Sequence, residues 1–159
     1  MSIHVCKELF TARGYTITNE SVTELWGKTP SGSTVVLVLS EYKKINTAVA
    51  RFYFSYISAN DIDHFILVHS GTITSTVRDI FKNIVLKRFE LYQSSHLLFN
   101  VLKHDLVPTH EKVSIPLKGT EHYPVLCKND PVARFLDFRP GDIIRITRKD
   151  GSISFRRVS

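Results

Sequence analysis

The chain has 159 residues, 43% of them hydrophobic and 23% charged, with a formal net charge of +6. These fractions are typical of a globular protein and exclude a disordered tail, and no apolar run approaches the ~20 residues of a membrane-spanning helix. Cys6 and Cys127 are too few for a disulfide scaffold, and Met1–Phe10 lacks an apolar signal segment, so we expect reduced thiols and no secretion.

The front of the chain predicts two short helices. The first is expected over Ile3–Arg13, with Gly14 as its stop. Asn19 offers an N-cap for the second, which would continue through Trp26. Thr29–Ser33 then predicts a turn.

Buried strands and amphipathic helices follow in alternation. Val35–Leu39 and Phe65–Val68 are unbroken apolar runs, typical of strands covered on both faces, and Val85–Leu91 predicts a third strand. Two segments between them repeat apolar residues at helical spacing. The first has Ile45, Val49, Phe52, Tyr53, Tyr56 and Ile57; the second has Ile73, Val77, Ile80, Phe81 and Ile84. This order predicts a three-layer α/β domain with a largely parallel sheet over residues 1–92.

An aromatic cluster on the first of these helices has two interpretations. Base stacking is one, but the helical spacing of Phe52, Tyr53 and Tyr56 favours core packing. Phe54 falls off that face, so an exposed Phe54 would indicate a protein contact.

Residues 93–159 predict a small α+β domain. A short helix is expected over Ser95–His104, and a second is expected where Asp130 provides an N-cap and Pro131 occupies the first helical position. The turn Lys149–Ser152 separates two strand-like segments, Asp142–Arg148 and Ile153–Val158, which predicts an antiparallel hairpin.

Three segments carry a family resemblance. His104–His110 contains Leu-Val-Pro, one further residue and His; Asn129–Arg148 contains Asp-Pro-Val-Ala-Arg, an aromatic residue and a glycine turn into a basic strand. Cys6–Tyr15 contains most of the predicted first helix and ends in Arg-Gly-Tyr. The chain thus resembles the H/fifth subunit of archaeal and eukaryotic DNA-directed RNA polymerases, whose eukaryotic members have a similar opening. The matching residues are Leu106, Val107, Pro108, His110, Asp130, Pro131, Val132, Ala133, Arg134, Phe135 and Gly141.

The resemblance implies a non-catalytic subunit with no active site, cofactor or metal of its own. It implies that residues 93–159 form an assembly domain docked on the largest polymerase subunit, and that residues 1–92 form a jaw-like domain beside downstream DNA. We expect the subunit interface to include Pro108, His110, Asp130, Pro131, Val132, Ala133, Arg134, Phe135 and Gly141. Contacts to DNA phosphates are assigned to Lys43, Lys44 and Arg51. Bidentate contacts with partner carboxylates would suit Arg139, Arg145, Arg148, Arg156 and Arg157.

Two departures from the family pattern predict a divergent member. The segment Glu111–Tyr123 is short and contains Pro116 and Gly119, so the helix that relatives carry there is expected to be lost. The turn Lys149–Ser152 replaces a longer loop. A dedicated paralogue and a viral copy both fit, with a nuclear location, or a cytoplasmic factory or virion if the source is viral.

Two other functions remain open. A nuclease-like enzyme acting on DNA would depend on Glu41 and Lys43 at the end of a buried strand, but would need a second acid nearby, and the nearest, Glu20 and Glu24, fall on the predicted second helix. A stand-alone basic nucleic-acid-binding module would depend on the net charge of +6.

Overall fold

The computed structural model describes residues 3–83, 88–114 and 119–159. Backbone contacts divide the chain into two compact units, one up to Phe99 and the other Asn100–Ser159. The functional division into residues 1–92 and 93–159 stays a prediction. None of the helices in the described part of the chain is long and apolar enough to cross a membrane.

The first unit combines helices and strands. Its helices are α1 (Ile3–Ala12), α2 (Thr47–Ala59) and α3 (Ser75–Lys82). Its strands are β1 (Thr16–Glu20), β2 (Glu24–Lys28), β3 (Thr34–Leu39), β4 (Lys44–Ile45), β5 (His64–His69), β6 (Thr72–Ile73) and β7 (Arg88–Gln93). The predicted strands over Val35–Leu39 and Phe65–Val68 are confirmed. The predicted third strand, Val85–Leu91, is confirmed over Arg88–Leu91 as part of β7, and residues 85–87 lie outside the described residues.

The main sheet has the strand order β1-β2-β3-β5-β7. β3, β5 and β7 run parallel, whereas β1, β2 and β3 are joined antiparallel. The sheet is therefore mixed rather than largely parallel. The described part of the unit has a mixed α/β fold with two sheets, because the short strands β4 and β6 form a separate parallel pair.

The predicted second helix through Trp26 is wrong, since this segment forms the β1–β2 hairpin. The side chain of Asn19 caps no helix and accepts a hydrogen bond from the backbone N–H of Glu20, at 2.9 Å. Pairing of β2 with β3 buries Leu25 fully. Long-range sheet pairing thus overrides the local capping signal.

The main core of the unit lies between the sheet and the helices α2 and α3. It combines strand residues with helix residues: Val36, Val38, Phe65 and Leu67 with Ala50, Tyr53, Ile57, Val77 and Phe81. Ile45 precedes α2, because Asn46 caps this helix by accepting from the N–H of Val49 at 3.0 Å. Ile73 similarly precedes α3, and Ile84 lies outside the described residues.

Two aromatic residues of α2 depart from the expectation. Phe52, expected in the core, is 53% exposed. Phe54, expected off the core face, is half-buried and packs edge to face on Phe81 with ring centroids 5.7 Å apart. The shift follows from the position of α3, which covers a side of α2 that helical periodicity alone leaves to solvent.

Helix α1 lies on the opposite face of the sheet. Its predicted extent is confirmed to within one residue, and it buries Val5, Cys6, Leu9 and Phe10. Gly14 ends it with a positive φ of 71°, which glycine adopts without steric cost.

The second unit is built on a four-stranded sheet. Its strands are β8 (Thr109–Val113), β9 (Val125–Leu126), β10 (Ile143–Thr147) and β11 (Ile153–Val158), in the order β8-β10-β11-β9, and its helix is α4 (Pro131–Phe135). The predicted β10–β11 antiparallel hairpin is confirmed. The predicted helix over Ser95–His104 is wrong: two short 3-10 turns, Ser94–Leu97 and Val101–Lys103, occupy the segment. The side chain of Asn100 starts the second turn by accepting from the N–H of Leu102 at 2.9 Å, which interrupts a continuous helix.

Candidate functional site

The Asp-Pro-Val-Ala-Arg motif forms a capped helix, as predicted. Asp130 Oδ1 accepts hydrogen bonds from the N–H groups of Val132 at 2.9 Å and Ala133 at 3.3 Å. Pro131 occupies the first turn, where no N–H is needed. The motif therefore specifies the start of α4 directly.

Removing this cap should weaken the second unit measurably. Asp130→Ala leaves two backbone donors of α4 without their acceptor, so we expect a loss of about 0.5–2 kcal/mol in the stability of the unit. Amide hydrogen exchange of Ile144 and Ile146 would report it. Asp130→Asn keeps an acceptor oxygen and should recover most of the loss; an equal loss in both variants would contradict the capping role.

Three of the predicted interface residues are buried within their own unit. Val132, Ala133 and Phe135 are each less than a tenth exposed, and Ala133 belongs to a cluster with Ile144 and Ile146. Their side chains hold the unit together. The other predicted interface residues are half-buried or exposed, so they are accessible to a partner.

Those other residues occupy different parts of the unit. His110 lies on β8 opposite Ile146, and its Nδ1 is 2.8 Å from the carbonyl oxygen of Pro108. Gly141 is exposed, has a φ of 96° and donates its N–H to the carbonyl of Val158 at 2.9 Å. Pro108 and Arg134 are half-buried, and Pro131 is exposed.

The sequence did not single out the outer face of the four-stranded sheet, which we define as Tyr123, Val125, Ile153, Phe155 and Arg157. Val125 and Ile153 are 58% and 56% exposed. Phe155 stacks on Tyr123 at 6.0 Å, and Arg157 pairs with Val125 in register. Alternation along β11 puts Ile153, Phe155 and Arg157 on one side. This alternation along β11 was the sequence signal that could have identified the outer sheet face.

The predicted DNA-proximal residues are all exposed. Lys43 directly precedes β4, Lys44 is the first residue of β4, and Arg51 lies on α2. Gly71 allows the backbone to approach Lys43 closely, because a Cβ at Gly71 would lie only 2.6 Å from the carbonyl carbon of Lys43.

A pocket of about 360 Å³ opens beside these residues in the first unit. Two carboxylates and four aromatic rings contribute to its lining. The lining residues are Thr23, Glu24, Val38, Leu39, Glu41, Tyr42, Phe52, Tyr53 and Tyr56. Glu24 therefore shares a pocket with Glu41, which the sequence missed because it placed Glu24 on a helix.

Glu24 is held firmly in this pocket. Its Oε2 accepts hydrogen bonds from the indole N–H of Trp26 and the hydroxyl of Tyr56, both at 3.0 Å. Burial and the hydrogen bond to Glu24 raise the pKa of Tyr56 to about 12. Within residues 3–83, 88–114 and 119–159, no group of three or more His, Cys, Asp or Glu side chains is arranged to hold a metal ion.

The Arg-Gly-Tyr segment takes part in a buried charge cluster. The guanidinium of Arg13 donates to both carboxylate oxygens of Glu90, at 2.8 and 2.9 Å, and also to the hydroxyl of Tyr92 at 3.1 Å. His64 Nε2 lies 2.6 Å from Glu90 Oε1. Burial alone would raise the pKa of Glu90, but the hydrogen bond with His64 and the charge of Arg13 outweigh it and hold that pKa far below its usual range.

The chain is similar in sequence to known subunits of DNA-directed RNA polymerases. The family model described as RNA polymerase Rpb5, C-terminal domain, matches residues 117–158. The putative DNA-directed RNA polymerase subunit 454R of Invertebrate iridescent virus 6 is 25% identical over 180 aligned residues, covering 99% of this chain and 97% of that protein.

Archaeal subunits match a shorter part of the chain at higher identity. DNA-directed RNA polymerase subunit Rpo5 of Sulfurisphaera tokodaii is 40% identical over 65 residues, covering 35% of this chain and 77% of that protein. Rpo5 of Thermofilum pendens is 39% identical over 74 residues, covering 38% and 91%. The chain belongs to the Rpb5 family of DNA-directed RNA polymerase subunits.

Proposed function

We propose that this protein is a non-catalytic subunit of a multisubunit DNA-dependent RNA polymerase, and that Asn100–Ser159 docks on the largest subunit. One observation carries the proposal: the family match at residues 117–158 falls within the second compact unit. The alignments with the two archaeal Rpo5 subunits cover 77% and 91% of those proteins but only 35% and 38% of this chain. A role shared with them therefore belongs to the part of the chain that they share.

The outer sheet face is the surface we assign to this docking. Val125 and Ile153 expose aliphatic side chains next to the Tyr123–Phe155 stack, and Arg157 supplies a planar cation beside them. Aromatic residues and arginine are enriched in protein interfaces, and arginine suits bidentate contact with a partner carboxylate. The surface thus combines apolar area with a group that can fix orientation.

For the first unit we propose the jaw-like position beside downstream DNA. Contacts would be made with phosphates by Lys43, Lys44 and Arg51, which are exposed, and would carry no sequence information. The full-length similarity to a protein of an iridescent virus supports a viral copy of the subunit, acting in a cytoplasmic factory or virion rather than in the nucleus.

Co-expression with the largest polymerase subunit of the same source tests the docking. We expect the tagged full chain to retain that subunit, and the double variant Ile153→Asp/Arg157→Glu to lower its affinity at least about thirtyfold, the effect of losing an interface hot spot. Val22→Asp alters a side chain of the first unit that is already 87% exposed and should have no effect.

Two outcomes of this experiment would contradict the proposal. Failure of the wild-type chain to retain the largest subunit would overturn the docking itself. Retention by the double variant equal to that of the wild type would overturn the assignment of the outer sheet face.

A further inference from the structure

Two aromatic rings at the pocket of the first unit are exposed. Tyr42 is 44% exposed and Phe52 is 53% exposed, and their ring centroids lie 6.4 Å apart. Both rings also pack edge to face on Tyr53, at 6.3 and 5.4 Å. Large aromatic side chains left in solvent around a concave site mark a surface suited to a ligand or partner.

The charged residues that line this pocket are both acidic, and the cationic Lys43, Lys44 and Arg51 lie outside its lining. Glu24 and Glu41 both line it, and the lining residues in the described part of the chain include no Lys, Arg or His. Burial raises the pKa of the Tyr53 hydroxyl, the hydrogen bond that it donates to Ser40 lowers this pKa, and the negative charges of Glu41 and Glu24 raise it, so both carboxylates act on the pocket lining. An anionic ligand such as a DNA phosphate would be repelled here, whereas a cation would be attracted.

The two carboxylates differ in how they are held. Both hydrogen bonds to Glu24 fall on its Oε2, so its Oε1 keeps the capacity to accept from a ligand. Glu41 is exposed and lies in the loop that follows β3. Glu24 therefore offers an acceptor that is held in place, and Glu41 offers an acceptor on an exposed side chain. Two such acceptors suit a donor group that carries several N–H groups.

Aromatic rings complement such a cation. The faces of tyrosine and phenylalanine attract a cationic group within about 6 Å of the ring centroid, and a planar guanidinium also stacks on them. A guanidinium can therefore satisfy the carboxylates with its N–H groups and the rings with its faces. The long aliphatic part of an arginine side chain would lie against the apolar lining formed by Val38 and Leu39.

We propose that this pocket binds an arginine side chain of a partner protein. The exposed rings of Tyr42 and Phe52 provide the apolar contact that surrounds such an anchor in protein interfaces. The site lies in the first unit, so it is independent of the docking assigned to the outer sheet face of the second unit.

A titration of the isotope-labelled full chain with N-acetyl-arginine amide tests this site. The matched probe is N-acetyl-citrulline amide, which has nearly the same shape and no charge. We expect saturable chemical-shift changes at Glu41, Tyr42 and Phe52 with the arginine probe and none with the citrulline probe.

Two variants localise the effect. Glu41→Gln and Phe52→Leu change exposed side chains and should leave the fold intact, as the dispersion of the spectrum would show. Each should weaken binding of the arginine probe about three- to tenfold, because each removes one attractive group. Asp79→Asn removes an exposed carboxylate of α3 outside the pocket lining and should leave affinity unchanged.

Three results would overturn the proposal. One is an equal response to the arginine and citrulline probes. Another is binding of the arginine probe that Glu41→Gln leaves unchanged. A third is saturation of the same resonances by Mg²⁺ alone, lost in Glu41→Gln, which would assign the pocket to a metal. None of these results bears on the docking of the second unit, because that assay uses other residues and another readout.

Discussion

Replacing Glu90 by alanine is expected to destabilise the first unit by about 3–5 kcal/mol, the cost of leaving a buried charge without its partner. The side chain of Arg13 is 1% exposed and that of His64 is 4% exposed, and both contact the carboxylate of Glu90. Without that carboxylate the guanidinium loses two charge-assisted hydrogen bonds while it stays buried.

Urea denaturation followed by the fluorescence of Trp26 measures this loss. Trp26 is the only tryptophan of the chain and lies on β2, so its signal reports on the first unit. Asp79→Ala is the matched control, since it breaks an exposed pair with Lys82, and it should cost no more than about 1 kcal/mol. A loss of the same small size for Glu90→Ala would show that the buried cluster contributes little.

The same carboxylate predicts a pH dependence. The folded state lowers the pKa of Glu90 from its ordinary value of 4.5, so on acidification the unfolded chain binds a proton before the folded chain does. The stabilisation is therefore complete above about pH 4.5 and is lost as pH falls below it toward the folded-state pKa. We expect the difference between wild type and Glu90→Gln to shrink on acidification over this range, and a constant difference would contradict the linkage.

The regular parts of the fold follow from local sequence signals. The apolar runs at β3 and β5 predict buried strands because a strand covered on both faces needs apolar residues at every position. Asp130 and Pro131 likewise place the start of α4, since capping depends on a few neighbouring atoms. Each of these signals lies within the element that it specifies.

The errors occur where distant segments decide the structure. Asn19 and the residues after it favour a helix start, but they form the β1–β2 hairpin, whose second strand pairs with β3. Because the same error placed Glu24 on a helix, the sequence did not indicate that Glu24 and Glu41 line one pocket. The charge cluster of Arg13 and Glu90 joins residues 77 positions apart, which no local pattern can indicate.

Phe135→Ala is expected to be the most disruptive single change in the second unit. Phe135 is among the largest fully enclosed side chains of the described residues, at 2% exposure, and ends the Asp-Pro-Val-Ala-Arg-Phe segment on α4. Truncating a buried phenylalanine to alanine removes apolar contacts and leaves a cavity, at a cost of about 3–5 kcal/mol. Leu106→Ala truncates a side chain of the same unit that is 85% exposed, so it should change stability by less than about 0.5 kcal/mol.

Phe135→Ala also tests whether the Asp-Pro-Val-Ala-Arg-Phe segment supports the fold of the second unit or contacts the partner directly. Hydrogen exchange of the β10 amides would show whether Phe135→Ala opens the second unit, and retention of the largest polymerase subunit would show whether docking is lost. Because Val132, Ala133 and Phe135 are buried, we expect docking to fall in proportion to the unfolded fraction and to recover when a second, stabilising change restores the fold. A folded Phe135→Ala protein that still fails to dock would mean that the motif contacts the partner directly, and that the outer sheet face is not the main docking surface.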